Sequence, residues 1–93
     1  MTKEELHRQV TLGQRARAIL TDEIVVEARR LVREDLLTAW EKSKPSDVDG
    51  RERTYLALKM FDRVWEVVER TLQDGKVADS QLPENERRGL LNL

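Results

Sequence analysis

Apolar positions recur at three- and four-residue steps along most of the chain, a period that predicts helices. No alternating period-two segment is long enough to propose a strand. In the first segment, about residues 2–19, Thr2 is followed three positions later by Glu5, the form of a capping box. Leu6, Val10, Leu12, Ala16 and Ile19 then mark a short first helix. Those residues are few and loosely spaced, and Gly13 among them costs about 1 kcal/mol relative to alanine. The first helix is therefore expected to be the least stable part of the chain, kinked or frayed.

A stronger pattern follows. Thr21 or Asp22 reads as an N-cap, and Ile24, Val25, Ala28, Leu31, Val32, Leu36, Ala39 and Trp40 give a second helix over about 22–43. Pro45 biases Lys44 away from helix, and Ser46, Asp47, Asp49 and Gly50 are turn formers. A third helix is expected to begin near Asp49, with Glu52 repeating the capping-box logic, and to end near Asp74 and Gly75, because glycine tolerates the left-handed C-cap conformation. At 1.5 Å per residue the second and third helices are roughly 33 and 37 Å long. The predicted fold is all-α: an antiparallel helical hairpin (about 22–43 and 50–74) with a short N-terminal helix, assembled into a helical-bundle oligomer. Residues 1–82 read as a single helical domain, and 83–93 as a C-terminal tail that is mobile or docked on a partner.

The case for an oligomer rests on two seams along the third helix. Leu58, Phe61, Trp65, Val68 and Leu72 step by three and four, the spacing of a face that meets another helix. Ala57, Met60, Val64, Val67 and Thr71 repeat that spacing one residue earlier, which makes the apolar face wider than one partner helix covers. Either the first and second helices of the same chain cover both seams, giving a three-helix monomer, or copies of the chain associate. The second alternative is favoured, because wide open apolar faces are avoided by soluble monomers. The expected interface residues are Leu58, Phe61, Trp65, Val68, Leu72, Met60 and Val64. Trp40, beside charges at the end of its helix, and Leu90, Leu91 and Leu93 of the tail are expected to contact another protein.

Composition narrows the function. At 93 residues the chain sits near the lower limit for burying a core unaided. Its 39% hydrophobic and 38% charged residues, with two Pro and four Gly, favour long solvated helices. Seventeen Lys and Arg against eighteen Asp and Glu leave a formal charge of -1, so no global field draws it to nucleic acid or an anionic membrane. The absence of cysteine excludes disulfides, thiol nucleophiles and thiolate metal sites. No apolar run approaches the roughly 20 residues that span a bilayer, and Lys3, Glu4 and Glu5 are not followed by a signal-peptide core, so a cytoplasmic protein is expected.

Candidate chemistry is sparse. Glu4 and His7 form an ExxH pair of the kind that di-iron bundles use twice, but only one copy is present and it lies at a helix start. Glu34 and Asp35, flanked by Arg33, are adjacent on a helix and cannot face each other as an acid and base pair. Arg15, Arg17, Arg29, Arg30 and Arg33 are interrupted by Asp22, Glu23, Glu27 and Glu34, and Arg30 has both Glu27 and Glu34 at ion-pair spacing, so direct nucleic-acid binding is not expected. No enzyme activity, cofactor or metal is predicted.

Several short segments carry a resemblance: Gly13-Gln14-Arg15-Ala16-Arg17-Ala18-Ile19-Leu20, Ala39-Trp40-Glu41, Asp49-Gly50-Arg51-Glu52-Arg53, Leu56-Ala57-Leu58-Lys59 and Asp74-Gly75-Lys76-Val77-Ala78. Over about residues 13–82 the chain resembles the small helical proteins of unassigned role encoded by tailed phages and prophages. The resemblance implies a viral origin and a non-enzymatic role, in particle assembly or as an accessory protein that binds a viral or host protein, including a host defence enzyme. It implies location in the host cytoplasm or with the virion, and it transfers no site residues.

Overall fold

A computed structural model describes residues 1–92. Three helices account for most of them: α1 (Lys3–Thr21), α2 (Glu23–Lys42) and α3 (Val48–Gln81), followed by two single 3-10 turns at Glu84–Glu86 and Leu90–Asn92. No strand occurs among the described residues. The hydroxyl of Thr2 accepts the Glu5 backbone N–H at 3.2 Å, so the first helix starts at the predicted cap. One extended residue, Asp22, separates α1 from α2. The α3 cap is Asp47, two residues before the predicted position, with its carboxylate accepting the Gly50 N–H at 3.1 Å.

The chain divides into two units. The first comprises Met1–Asp22 and the residues from Val67 onward, and the second is Glu23–Glu66. Long α3 contributes its C-terminal part to the first unit, where α1 packs on it, and its N-terminal part to the second, where α2 does so.

In the first unit Leu6 and Val10 of α1 pack with Ala78 of α3 and Leu82 just beyond it. Fully burying a side chain of this size contributes about 1.5–3 kcal/mol. Where the helices cross, Gly13 meets Gly75 backbone to backbone. A Cβ added to Gly75 would lie 2.7 Å from the Gly13 Cα and 3.0 Å from the Gln9 carbonyl oxygen. Two expectations are corrected here. Gly75 does not end the third helix, which runs on to Gln81; its missing side chain serves the helix crossing, and the one glycine with positive φ is Gly89, at 70°. The first helix, expected to be weakest, carries four buried residues, Leu6, Val10, Gly13 and Ala16, and runs without interruption. Small residues at the crossing do what large apolar ones do elsewhere, by letting the backbones approach.

The tail returns onto this unit. Asp79 is a buried acid, and its two carboxylate oxygens accept the backbone N–H groups of Arg88 (2.8 Å) and Leu90 (2.9 Å). Those bonds offset the cost of burying a carboxylate. They also fix the tail so that Leu90, fully buried, lies against the Gly13–Gly75 crossing. The Arg87 guanidinium adds bonds to the carbonyls of Leu82 (2.9 Å) and Ser80 (3.1 Å), groups left over where α3 ends.

The second unit is an antiparallel hairpin of α2 and the first part of α3. Arg33 reaches Asp62 with two hydrogen bonds, at 3.0 and 3.3 Å. The Arg29 guanidinium sits 4.9 Å over the Trp65 ring, and Phe61 meets that ring edge to face, centroids 6.2 Å apart. At the turn Arg51 lies 4.7 Å over Trp40 and donates to the carbonyl and hydroxyl oxygens of Ser43. No residue of Glu23–Glu66 is buried.

Candidate interaction surfaces

The two seams of α3 have different surroundings. Leu58, Phe61, Trp65, Val68 and Leu72 are all half-buried inside their own chain, Leu58, Phe61 and Trp65 in the hairpin, Val68 and Leu72 in the first unit. Met60 and Val64, one residue earlier in register, stay 71% and 59% exposed. Of the seven residues expected at an oligomer interface, five therefore face inward and two remain on open surface.

The same one-residue offset occurs on α2. Ile24, Ala28 and Asp35 are exposed, and each precedes a half-buried neighbour: Val25, Arg29 and Leu36. On α3 the exposed Ala57, Met60 and Val64 precede the half-buried Leu58, Phe61 and Trp65. At about 100° per residue, each open row is thus turned by the same angle, in the same sense, from the row that faces the other helix. Because the two helices run in opposite directions, that common rotation brings both open rows to one side of the hairpin. Leu31, three residues after Ala28, continues the α2 row and is exposed. Asp35 is the charged position within the α2 row. The period of the α2 apolar residues was legible in the sequence, but which row faced outward required the pairing register that Arg33–Asp62 and Arg29–Trp65 set.

Trp40 is 38% exposed, with Arg51 over its ring. The indole N–H of Trp65 is buried without an acceptor, and an unsatisfied buried donor costs about 1–3 kcal/mol. Both features lie in the unit that has no buried residue. In the first unit a shallow apolar groove of about 240 Å³ is lined by Leu12, Arg15, Ala16, Ile19, Val67, Val68 and Thr71.

The tail residues expected to meet a partner separate. Leu90 is not available to one in this fold, because Asp79 and the helix crossing hold it inside its own chain. Leu91 is exposed, and Leu93 lies outside the described residues.

Charged groups form local pairs. Arg30 bonds both Glu27 and Glu34, the partners that helical spacing predicts, and Asp35 is exposed. His7 lies 3.3 Å from Glu86, a tail carboxylate that also meets Lys3 at 3.0 Å. No group of three or more His, Cys, Asp or Glu placed to hold a metal ion occurs among the described residues.

The Lys3 ammonium, more than His7, holds the Glu86 carboxyl below its ordinary value of 4.5. A carboxyl depressed on folding contributes stability above its unfolded value that is lost as pH falls through the lower folded value. Acidification below about 4.5 is therefore expected to loosen the tail from α1, with the effect reduced by solvent exposure. Tail amide exchange followed from pH 6 to 3 reads this directly, against the same titration of Glu86→Gln, which removes the step.

Comparison with protein-family models, curated proteins and solved structures finds no match to this chain. No helix among the described residues is long and apolar enough to cross a membrane.

Proposed function

We propose that this chain is a non-enzymatic helical protein–protein interaction module. The observation that carries this reading is the hairpin Glu23–Glu66, which buries no residue yet presents apolar rows on both helices. Exposed contiguous apolar surface marks interaction sites in soluble proteins, and the orphaned Trp65 N–H is a further sign of incomplete packing. The resemblance to small helical proteins of tailed phages and prophages favours a role in particle assembly or as a structural accessory, in the host cytoplasm or on the virion. A second reading is a small inhibitor or adaptor that binds one host protein, such as a defence enzyme; the exposed Trp40, a residue type enriched at interface anchors, favours it.

The test is tagged expression in a cell producing phage particles, followed by mass spectrometry of gradient-purified particles and assembly intermediates. Recovery with head or tail intermediates supports the assembly role. Recovery only in a small stoichiometric complex with a host protein supports the inhibitor, and recovery with neither overturns both.

A further inference from the structure

The segment after Leu82 has the form of a strap. We infer that residues 83–91 close over the crossing of α1 and α3 as an autoinhibitory contact, and that they open as a unit while the helices beneath stay folded. Closed, the strap holds Leu90 inside; open, it presents Leu90 beside the exposed Leu91. The opening stands on the geometry of the first unit alone, and the use of the freed leucines as a partner contact rests on the interaction-module reading.

The strap has a fixed root. Leu82 belongs to the core with Leu6, Val10 and Ala78, and α3 has already ended at Gln81. Pro83, which follows, has no N–H to lose. Opening beyond this point takes nothing from that core. Within the strap the Glu86 and Arg87 N–H groups donate to the carbonyls of Pro83 (2.8 Å) and Glu84 (3.3 Å), so its first turn is closed by its own backbone.

Its apolar hold on the helices is small. Of the nine residues only Leu90 is buried, Glu86 and Gly89 are half-buried, and the other six are exposed. The remaining fastenings are polar: Glu86 with Lys3 and His7, Arg88 with Gln14, the Arg87 guanidinium with the carbonyls of Ser80 and Leu82, and Asp79 with the N–H groups of Arg88 and Leu90. Water replaces each of these bonds at small net cost once the strap lifts. Ordering the backbone of nine residues costs about as much as one buried leucine and these bonds contribute together. The closed form therefore leads by a narrow margin, and about 0.1–10% of molecules are open at equilibrium.

Asp79 makes the fastening reversible. It is the one buried charged side chain among the described residues, and both N–H groups that it accepts belong to the strap. Lifting the strap returns its carboxylate to water, which offsets part of the cost of opening; a wholly apolar clasp has no such return. Gly89 sets the direction of the turn. Its φ of 70° lets the N–H groups on either side of it reach the same carboxylate. A residue with a side chain rarely holds that conformation, and only the closed form requires it.

Native-state hydrogen exchange of the whole chain, followed by NMR from zero to moderate urea, reads the opening. The Arg88 and Leu90 amides are expected to exchange through an opening that urea barely promotes, with protection of about 10- to 1,000-fold. Val10 is expected to follow global unfolding, with a steep dependence on urea. Gly89→Ala should lower the protection of the Leu90 amide about 5- to 30-fold, with helicity unchanged by circular dichroism. Leu90 protection that matches Val10 and falls with urea at the same slope would make the strap part of the core and overturn the inference. So would a Leu90 amide with no protection, or one that Gly89→Ala leaves unchanged. A strap that opens alone in a chain recovered with no viral or host protein would sink the interaction reading and leave the strap standing. Recovery in such a complex with a strap that opens only on global unfolding would do the reverse.

Discussion

Gly75→Ala is expected to destabilise the first unit by about 2–3 kcal/mol, in the range of an overpacked core, although the same substitution in an open helix would stabilise it by about 1 kcal/mol. The sign is reversed by geometry. The new methyl group would lie 2.7 Å from the Gly13 Cα and 3.0 Å from the Gln9 carbonyl, both backbone atoms that cannot rotate away, and 3.0 Å from Leu90. Relief requires α1 to move off α3, which loosens Val10 and Ala78 at the same interface. Urea unfolding followed by circular dichroism gives the value. A stability equal to or above wild type would mean that the helices do not cross at these glycines. Gly13→Ala meets the mirror contact, a Cβ 2.8 Å from the Gly75 Cα, and should behave alike.

Asp79→Ala is expected to cost about 2–4 kcal/mol, because two backbone N–H groups, those of Arg88 and Leu90, lose their acceptor together. The cost is limited by undocking: the tail can leave the surface and give both N–H groups to water. Amide exchange should then separate the two contributions. Residues 82–92 are expected to lose protection first, while α1 loses only the part that burial of Leu90 supplies. Leu90→Ala tests the same strap from the apolar side, with a cost of about 2–4 kcal/mol for a truncated core leucine. Unchanged tail protection in Asp79→Ala would show that the apolar contact alone holds the tail.

These two positions also show where sequence reasoning stops. The helical period placed the starts of α1 and α2 within about a residue, and it read the two seams of α3 as one wide apolar face, of which Leu58, Phe61 and Trp65 are half-buried and Met60 and Val64 exposed. Periodicity is a local property, and the residues that carry it are close in sequence. Gly75 was read as a helix stop because a glycine after an apolar run often caps one. Its role depends on Gly13, which becomes its neighbour only once α1 is laid on α3. Weighing α1 by its count of large apolar residues failed for the same reason: Gly13 and Ala16 bring backbones together and add little hydrophobicity of their own. Asp79 lies in a polar stretch and looks like one more solvated charge. What marks it is a pairing with tail amides nine and eleven residues later, and no local rule anticipates that. In the hairpin, by contrast, the candidate surface was half visible. Met60 and Val64 were already on the second seam, and the α2 row was written in the same period; what was missing was the rotation that places both rows on one side.

The first unit is held by its own core of Leu6, Val10, Ala78 and Leu82, whereas the hairpin Glu23–Glu66 buries no residue. Hydrogen–deuterium exchange on the purified chain reads that difference residue by residue. Amides of residues 23–66 are predicted to exchange markedly faster than those of 3–21 and 67–82. Protection of 23–66 equal to that of α1 would contradict it.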